Sequence, residues 1–361
     1  MSFQRQILPA LVGIADAIRS SPVDALRALR DEAERCVIDT SAHDVSMADL
    51  GRSIALVNDR LVQRHITAIE HLLEAKGVQA PGLPYCWLAL GSDGRMEQVM
   101  RTDQDTALVY ADPRESQRSA ANDYFLELAQ HVTDALVLDG LSLCPGGVMA
   151  CNCQWCQPFG IWERYFEDWI HRPNPAALLN EAIVFDFRAV AGDAALAESL
   201  RTSISRGLAV DKTSLILQAK NALQNPPARG LFRQLLVETR GEHRGLFDAK
   251  LRASKPLIDA IRVLALDAGV HDSTSTVERI HRLAERDSSI GPMRDALVRA
   301  HEGIMQVRFR HGTMGNGGGR YVSIKRMGAT ELQKLHRALQ TVHELLLLVR
   351  VRYQLDALGL R

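Results

Sequence analysis

Net charge, long apolar runs and spaced cysteines are what this 361-residue chain lacks: 43 basic residues face 43 acidic ones, and only six cysteines occur. A balanced total leaves no bulk field to recruit nucleic acid or an anionic membrane. The densest apolar run, Leu345 to Val349, is cut by Arg350 and Arg352, far short of the roughly 20 residues a spanning helix needs. The opening stretch MSFQRQILPALVGIADAIRS has neither the apolar core nor the small-residue cleavage site of a signal peptide, so a cytoplasmic protein with no membrane partner is expected. Four cysteines (Cys144, Cys151, Cys153 and Cys156) crowd one short stretch, which excludes a disulfide framework and fits a reducing compartment. Composition is otherwise ordinary, with 46% hydrophobic and 24% charged residues, and excludes a disordered or collagen-like chain. The basic residues are 36 Arg and 7 Lys; arginine is the better fork for phosphate, although a GC-rich coding sequence gives the same skew.

At roughly 150 residues per domain the length suggests about two domains. Apolar residues recur at three- and four-residue steps from Leu50 to Leu73, ahead of Gly77, which predicts a long amphipathic helix with a left-handed stop. Shorter helices are expected over residues 14–18 and 25–37, so residues 1–80 read as an N-terminal helical region closed by the turn-rich QAPGLP. YCWLAL (residues 85–90) and TALVY (106–110) are short apolar runs that read as buried strands. Helices are expected over residues 116–138, in WERYFEDWI and in ALLNEAIVFDFRAV. The core therefore spans residues 81–194, and residues 195–361 read as almost wholly helical. Ser275 to Glu278 form a capping-box pattern there, and the glycines of residues 312–320 exclude helix around them.

The segment WLALGSDGRMEQVMRTDQDTALVY carries the chemistry. Gly91 lets backbone approach a phosphate and Ser92 adds a hydroxyl beside exposed amides. Asp103 and Asp105, two apart on a strand, present carboxylates to one face, as hard cations such as Mg²⁺ require. Two metals there could bracket an in-line phosphoryl displacement, with Arg95 and Arg101 neutralising phosphate charge. Taken singly, each of these features reads as an ordinary turn, cap or surface residue; together, with strands on both sides, they point to nucleotidyl transfer.

GSDGRMEQ followed by RTDQD resembles the signature of the nucleotidyltransferases catalogued as domain of unknown function 294, within the polymerase-beta nucleotidyltransferase superfamily. That superfamily includes PII uridylyltransferase and glutamine synthetase adenylyltransferase. LCPGGVMA, FDFRAVAGD and GEHRGLFDAKLRASKPLIDAIRVLAL extend the likeness, the last being similar to the family's substrate-binding helical domain. The resemblance implies an α/β (α+β) fold, a polymerase-beta-like core with a small mixed sheet, flanked by N-terminal helices and a C-terminal helical bundle. It also implies a Mg²⁺-dependent, two-metal transfer of a nucleoside monophosphate from an NTP to a protein or small-molecule acceptor, with release of pyrophosphate. The superfamily supplies a third carboxylate on a later strand. Asp186 is the choice here, unless FDFRAVAGD matches a helix that follows that carboxylate, in which case Asp186 is structural.

The four clustered cysteines offer enough ligands for zinc, but their compressed spacing departs from the paired pattern of structural sites, and reduced thiols lining a loop are expected instead. In GEHRGLFDAK, His243, Arg244 and Lys250 are candidates for binding the nucleotide phosphate or the acceptor; the competing reading is surface pairing on a helix, with Arg244, Asp248 and Arg252 on one face. Past residue 300, basic residues exceed acidic ones by six, yet only Phe309, Tyr321 and Tyr353 are available for stacking, which argues against a nucleic-acid partner. The alternative to an enzyme is a catalytically weak nucleotide-binding regulatory module, and the sequence leaves the base, the acceptor and the oligomeric state open.

Overall fold

The computed structural model describes residues 8–40, 45–98, 103–173, 183–227, 235–313 and 318–356. Its chain divides into two compact units, one of Met1–Trp169 with Leu179–Ile204 and the other of Ile170–Leu178 with Ser205–Arg361.

The first unit is built on a small mixed sheet. Strands β1 (Tyr85–Ala89), β3 (Thr106–Tyr110), β5 (Cys156–Pro158) and β6 (Arg188–Gly192) lie in the order β5-β3-β1-β6. β1 runs antiparallel to both β3 and β6, whereas β3 and β5 are parallel. Both central strands are apolar on both faces, and Trp87, Leu88, Leu108 and Val109 are all at most 1% exposed. Each such side chain contributes roughly 1.5–3 kcal/mol of burial, and strands covered on both sides read as continuous rather than alternating apolar runs. A separate two-residue parallel pairing joins β2 (Asp103–Gln104) to β4 (Ser142–Leu143).

Helices α1 (Pro9–Ser20), α2 (Leu26–Thr40) and α3 (Met47–Ala75) precede the sheet, and a single helical turn, α4 (Gly91–Gly94), follows β1. Ser46 caps α3 by accepting the Asp49 N–H at 3.4 Å, and Gly77, at φ 80°, ends it in the left-handed turn that its sequence predicts. α3 packs directly against the core: Gln63 donates to the Val190 carbonyl at 2.7 Å, and His65 meets Asp139 at 2.6 Å at the end of α5 (Arg118–Leu138). The scarce aromatic residues are concentrated here. Trp155, Trp162, Phe166, Trp169, Phe185 and Phe187 form a chain of ring contacts around α6 (Phe159–His171), with centroids 5.2–6.5 Å apart.

One expectation fails in this unit. The end of ALLNEAIVFDFRAV is not helical, because Arg188–Gly192 pairs with β1 as β6. Its helical spacing is overridden by tertiary pairing, and Gly192, at φ 82°, takes a position where a Cβ would fall 2.1 Å from the Tyr85 carbonyl oxygen.

The second unit is mainly helical, with α7 (Ala194–Val210) entering it and α8 (Thr213–Ala222), α9 (Lys255–Asp267), α10 (Thr276–Arg286), α11 (Arg294–Thr313) and α12 (Ala329–Arg352) following. Ser275 stands at the N-cap of α10 as the capping-box pattern predicts, although its hydroxyl makes no capping bond. GEHRGLFD is not helical, and helix begins only at its last two residues, Ala249 and Lys250. Gly241 and Gly245 take left-handed φ values of 76° and 84°, and Phe247–Asp248 forms β7, paired with β8 (Tyr321–Val322). The expected helical face of Arg244, Asp248 and Arg252 therefore does not exist: Asp248 pairs with Arg320 at 2.9 Å, and Arg252 lies 3.8 Å from Glu238.

Candidate functional site

The sheet register brings three distant segments to one edge. Ala89, the last residue of β1, lies opposite Thr106 on one side and Arg188 on the other, so Gly91, Asp105 and Asp186 all leave or enter the sheet at that end. The Leu90 N–H donates to the Asp105 carbonyl at 2.9 Å. Gly91 then opens α4 at φ 55°. A Cβ on Gly91 would lie 3.0 Å from Asp105 Oδ2, so glycine lets the turn close onto the carboxylate. Ser92 is half-buried at the head of that turn, where the first N–H groups have no intrahelical acceptor. Gly94 is needed for a different reason, since a Cβ there would fall 1.8 Å from the Asp186 carbonyl oxygen.

The acidic pair is joined by a thiol. One oxygen each from Asp103 and Asp105 and the sulfur of Cys144 lie within 4.8 Å of one another. β2 and β4 pair Asp103 with Ser142 and Gln104 with Leu143, and one further step in that register sets Asp105 beside Cys144. The Cys144 thiol is pushed up to about 11 by burial and by its hydrogen bond to the negatively charged Asp105. Two carboxylates and a sulfur in this space suit a divalent cation in number and charge. The zinc grouping of four cysteines does not form: Cys144 sits with the aspartates, while Cys156 is buried near Cys151 and Cys153.

Behind this edge lies a layer of buried charge. Arg95, 8% exposed, donates to Glu97 Oε2 at 2.7 Å and to Asp186 Oδ2 at 2.9 Å. Asp186 is fully buried and outside the Asp103–Asp105–Cys144 group. Arg188 forks onto Asp59 at 2.7 and 2.9 Å and lies 3.6 Å from Asp93. Burial pushes the Asp93 carboxyl up to about 7, with Arg188 opposing and the charges of Asp59 and Asp105 adding to the rise. Burial likewise raises Asp59 against the pull of Arg188. Arg101 lies outside the described residues.

In the second unit His243 stacks on Tyr321 with centroids 3.7 Å apart. Arg244 and Lys250 are exposed, and the Arg320 guanidinium lies 5.0 Å from the centroid of the same Tyr321 ring.

Sequence reasoning missed Cys144 as a neighbour of the acidic pair, and no local signal could have found it, because the contact depends on the β2–β4 register. It also passed over Asp93, although GSDG displays it, since nothing in the sequence reveals Asp59 and Arg188 beside it.

A glycine turn closed onto one of two neighbouring aspartates, at the end of a small mixed sheet, defines a nucleotidyltransferase-type core. The chain belongs to the family whose model, described as "Putative nucleotidyltransferase DUF294", matches residues 31–176, and whose companion, "Putative nucleotidyltransferase substrate binding domain", matches residues 214–353. Together the two family models span most of the chain, and nucleotidyl transfer is the general function they support. No curated protein matches the chain. No helix among the described residues is long and apolar enough to cross a membrane.

Proposed function

We propose that the chain transfers a nucleoside monophosphate from an NTP to a hydroxyl or amine of a protein or small-molecule acceptor, with pyrophosphate leaving, in a Mg²⁺-dependent reaction of the adenylyl- or uridylyltransferase type. The observation that carries this reading is the closure of Gly91 onto Asp105, with Asp103 in the same donor group. Asp103 and Asp105 hold the divalent cation. When bound, it neutralises triphosphate charge and the charge that develops on the phosphoryl oxygens. Gly91 and Ser92 offer backbone amides and a hydroxyl to the phosphates. Arg95 serves from behind, because its guanidinium is shared between Glu97 and Asp186. Asp186 acts by holding Arg95 and, through its carbonyl, by packing on Gly94. His243, Arg244 and Lys250 bind the acceptor or a phosphate on the second unit, His243 being fixed by its stack on Tyr321.

One observation favours the second reading, a nucleotide-binding module with weak turnover: among the described residues Cys144 rather than a third carboxylate completes the donor group, leaving no evident general base there. Pyrophosphate release from each of the four triphosphates with Mg²⁺, abolished in Asp103→Asn and Asp105→Asn, supports the transferase. Metal-dependent triphosphate binding without release, in the presence of cell extract as acceptor source, supports the module.

A further inference from the structure

We propose that Cys144 is a thiolate ligand of the cation held by Asp103 and Asp105, so that this position selects a zinc-class ion, Zn²⁺ or Co²⁺, over Mg²⁺. The proposal rests on the reading that the two aspartates hold a divalent cation, and adds the identity of the third donor and of the ion.

The geometry is close to that of a coordination shell. Donors around one tetrahedral ion stand about 3.3–3.5 Å apart, from roughly 2.3 Å for Zn–S and 2.0 Å for Zn–O. Donors within 4.8 Å of one another therefore need to close by at most about 1.5 Å, which side-chain rotation supplies. Three separate positions of the chain supply them, and the β2–β4 pairing fixes their register.

The sulfur sits against a tight turn. Gly146 packs closely, since a Cβ there would lie 3.6 Å from Sγ, and the Gly147 N–H closes the turn on the Cys144 carbonyl at 3.0 Å. The third carboxylate that would make the site all-oxygen is committed elsewhere, Asp186 to Arg95.

The chemistry then sets the choice of ion. Mg²⁺ demands near-octahedral oxygen ligation, whereas Zn²⁺ and Co²⁺ accept mixed oxygen and sulfur and bind thiolate far more strongly. On binding, the S–H bond breaks, its proton passes to solvent, and a sulfur–metal bond forms with no change of oxidation state. Mg²⁺ remains the carrier of the triphosphate.

Cobalt provides a readout independent of activity. The full-length protein, stripped with chelator, is titrated with Co²⁺ alone, and the near-ultraviolet thiolate-to-cobalt charge-transfer band is followed in parallel with Zn²⁺ and Mg²⁺ affinities. The expected result is a band in the wild type that is lost in Cys144→Ser and Cys144→Ala, with Zn²⁺ affinity falling at least about tenfold and Mg²⁺ affinity unchanged. Far-ultraviolet circular dichroism of both variants confirms that they are folded. Co²⁺ binding that depends on Asp103 and Asp105 but shows no charge-transfer band overturns the proposal while leaving the aspartate site standing. A band that survives in both cysteine variants places the sulfur elsewhere and overturns it too. No Co²⁺ binding at all removes the aspartate site as well.

Discussion

Replacing Arg95 with methionine removes the cation between two carboxylates that are 5% (Glu97) and 0% (Asp186) exposed. Breaking one buried pair by deleting a partner costs about 3–5 kcal/mol, a large share of the roughly 5–15 kcal/mol that separates a folded domain from its unfolded chain. At about 2–4 °C per kcal/mol for a unit of this size, Arg95→Met lowers Tm by roughly 6–20 °C. Asp186→Asn is the gentler test. The amide carbonyl still accepts from the guanidinium, Glu97 still balances it, and the charge assistance of the Arg95 hydrogen bond is lost, about 1.5–3 kcal/mol or roughly 3–12 °C. Both variants are to be melted in chelator at neutral pH, with pyrophosphate release measured alongside. A cation-ligating Asp186 makes the opposite forecast: its neutral variant keeps or gains stability in chelator, because a repelling carboxylate has gone, while activity collapses. An Asp186→Asn protein that melts within about 1 °C of wild type and has lost turnover would refute the assignment of Asp186 to Arg95, even if Arg95→Met fails to fold.

Three further outcomes are expected. Asp93, held near 7 against an ordinary 3.8, binds more protons folded than unfolded between those values, so its contribution to stability is full below about pH 4 and is lost as pH rises through 7. At about 1.36 kcal/mol per unit this is worth up to roughly 4 kcal/mol; chelator-treated wild type should lose more Tm across that window than Asp93→Asn, which keeps only the raised Asp59, and equal slopes for the two proteins would defeat the argument. Gly91→Ala places a methyl 3.0 Å from Asp105 Oδ2 at a φ of 55°, costing about 1–2 kcal/mol and displacing the carboxylate, so calorimetry should find a folded protein with weakened divalent-cation binding. Gly94→Ala puts its methyl 1.8 Å from a backbone oxygen that cannot step aside, and should abolish soluble expression or a cooperative melt; a variant with near-native Tm would show that the motif's second glycine is dispensable.

Much of the fold was legible because it is local. The long helix α3, the two buried strands β1 and β3 and the stop at Gly77 follow from apolar period and glycine placement, and a signature of nearby residues (Gly91, Ser92, Asp103, Asp105) could be read off one segment. Legibility ended where a residue's state depended on a distant partner. Arg188–Gly192 has a spacing compatible with helix and becomes a strand only because β1 offers it an edge. GEHRGLFDAK looks like a charged helix face until β8 pairs with it.

By itself, the sequence determined which chemistry is possible: a phosphate-tolerant glycine turn, two carboxylates on one strand face, and no bulk charge that would stand in for local placement. The tertiary structure alone decided who stands next to whom. It set Cys144 beside Asp105 through a two-residue parallel register, committed Arg95 to a carboxylate 91 positions away, and buried Asp93 against Asp59 and Arg188. The physical reason is that ligand identity and pKa depend on distance and desolvation, which fall off over a few ångströms, whereas the sequence orders residues only along the chain.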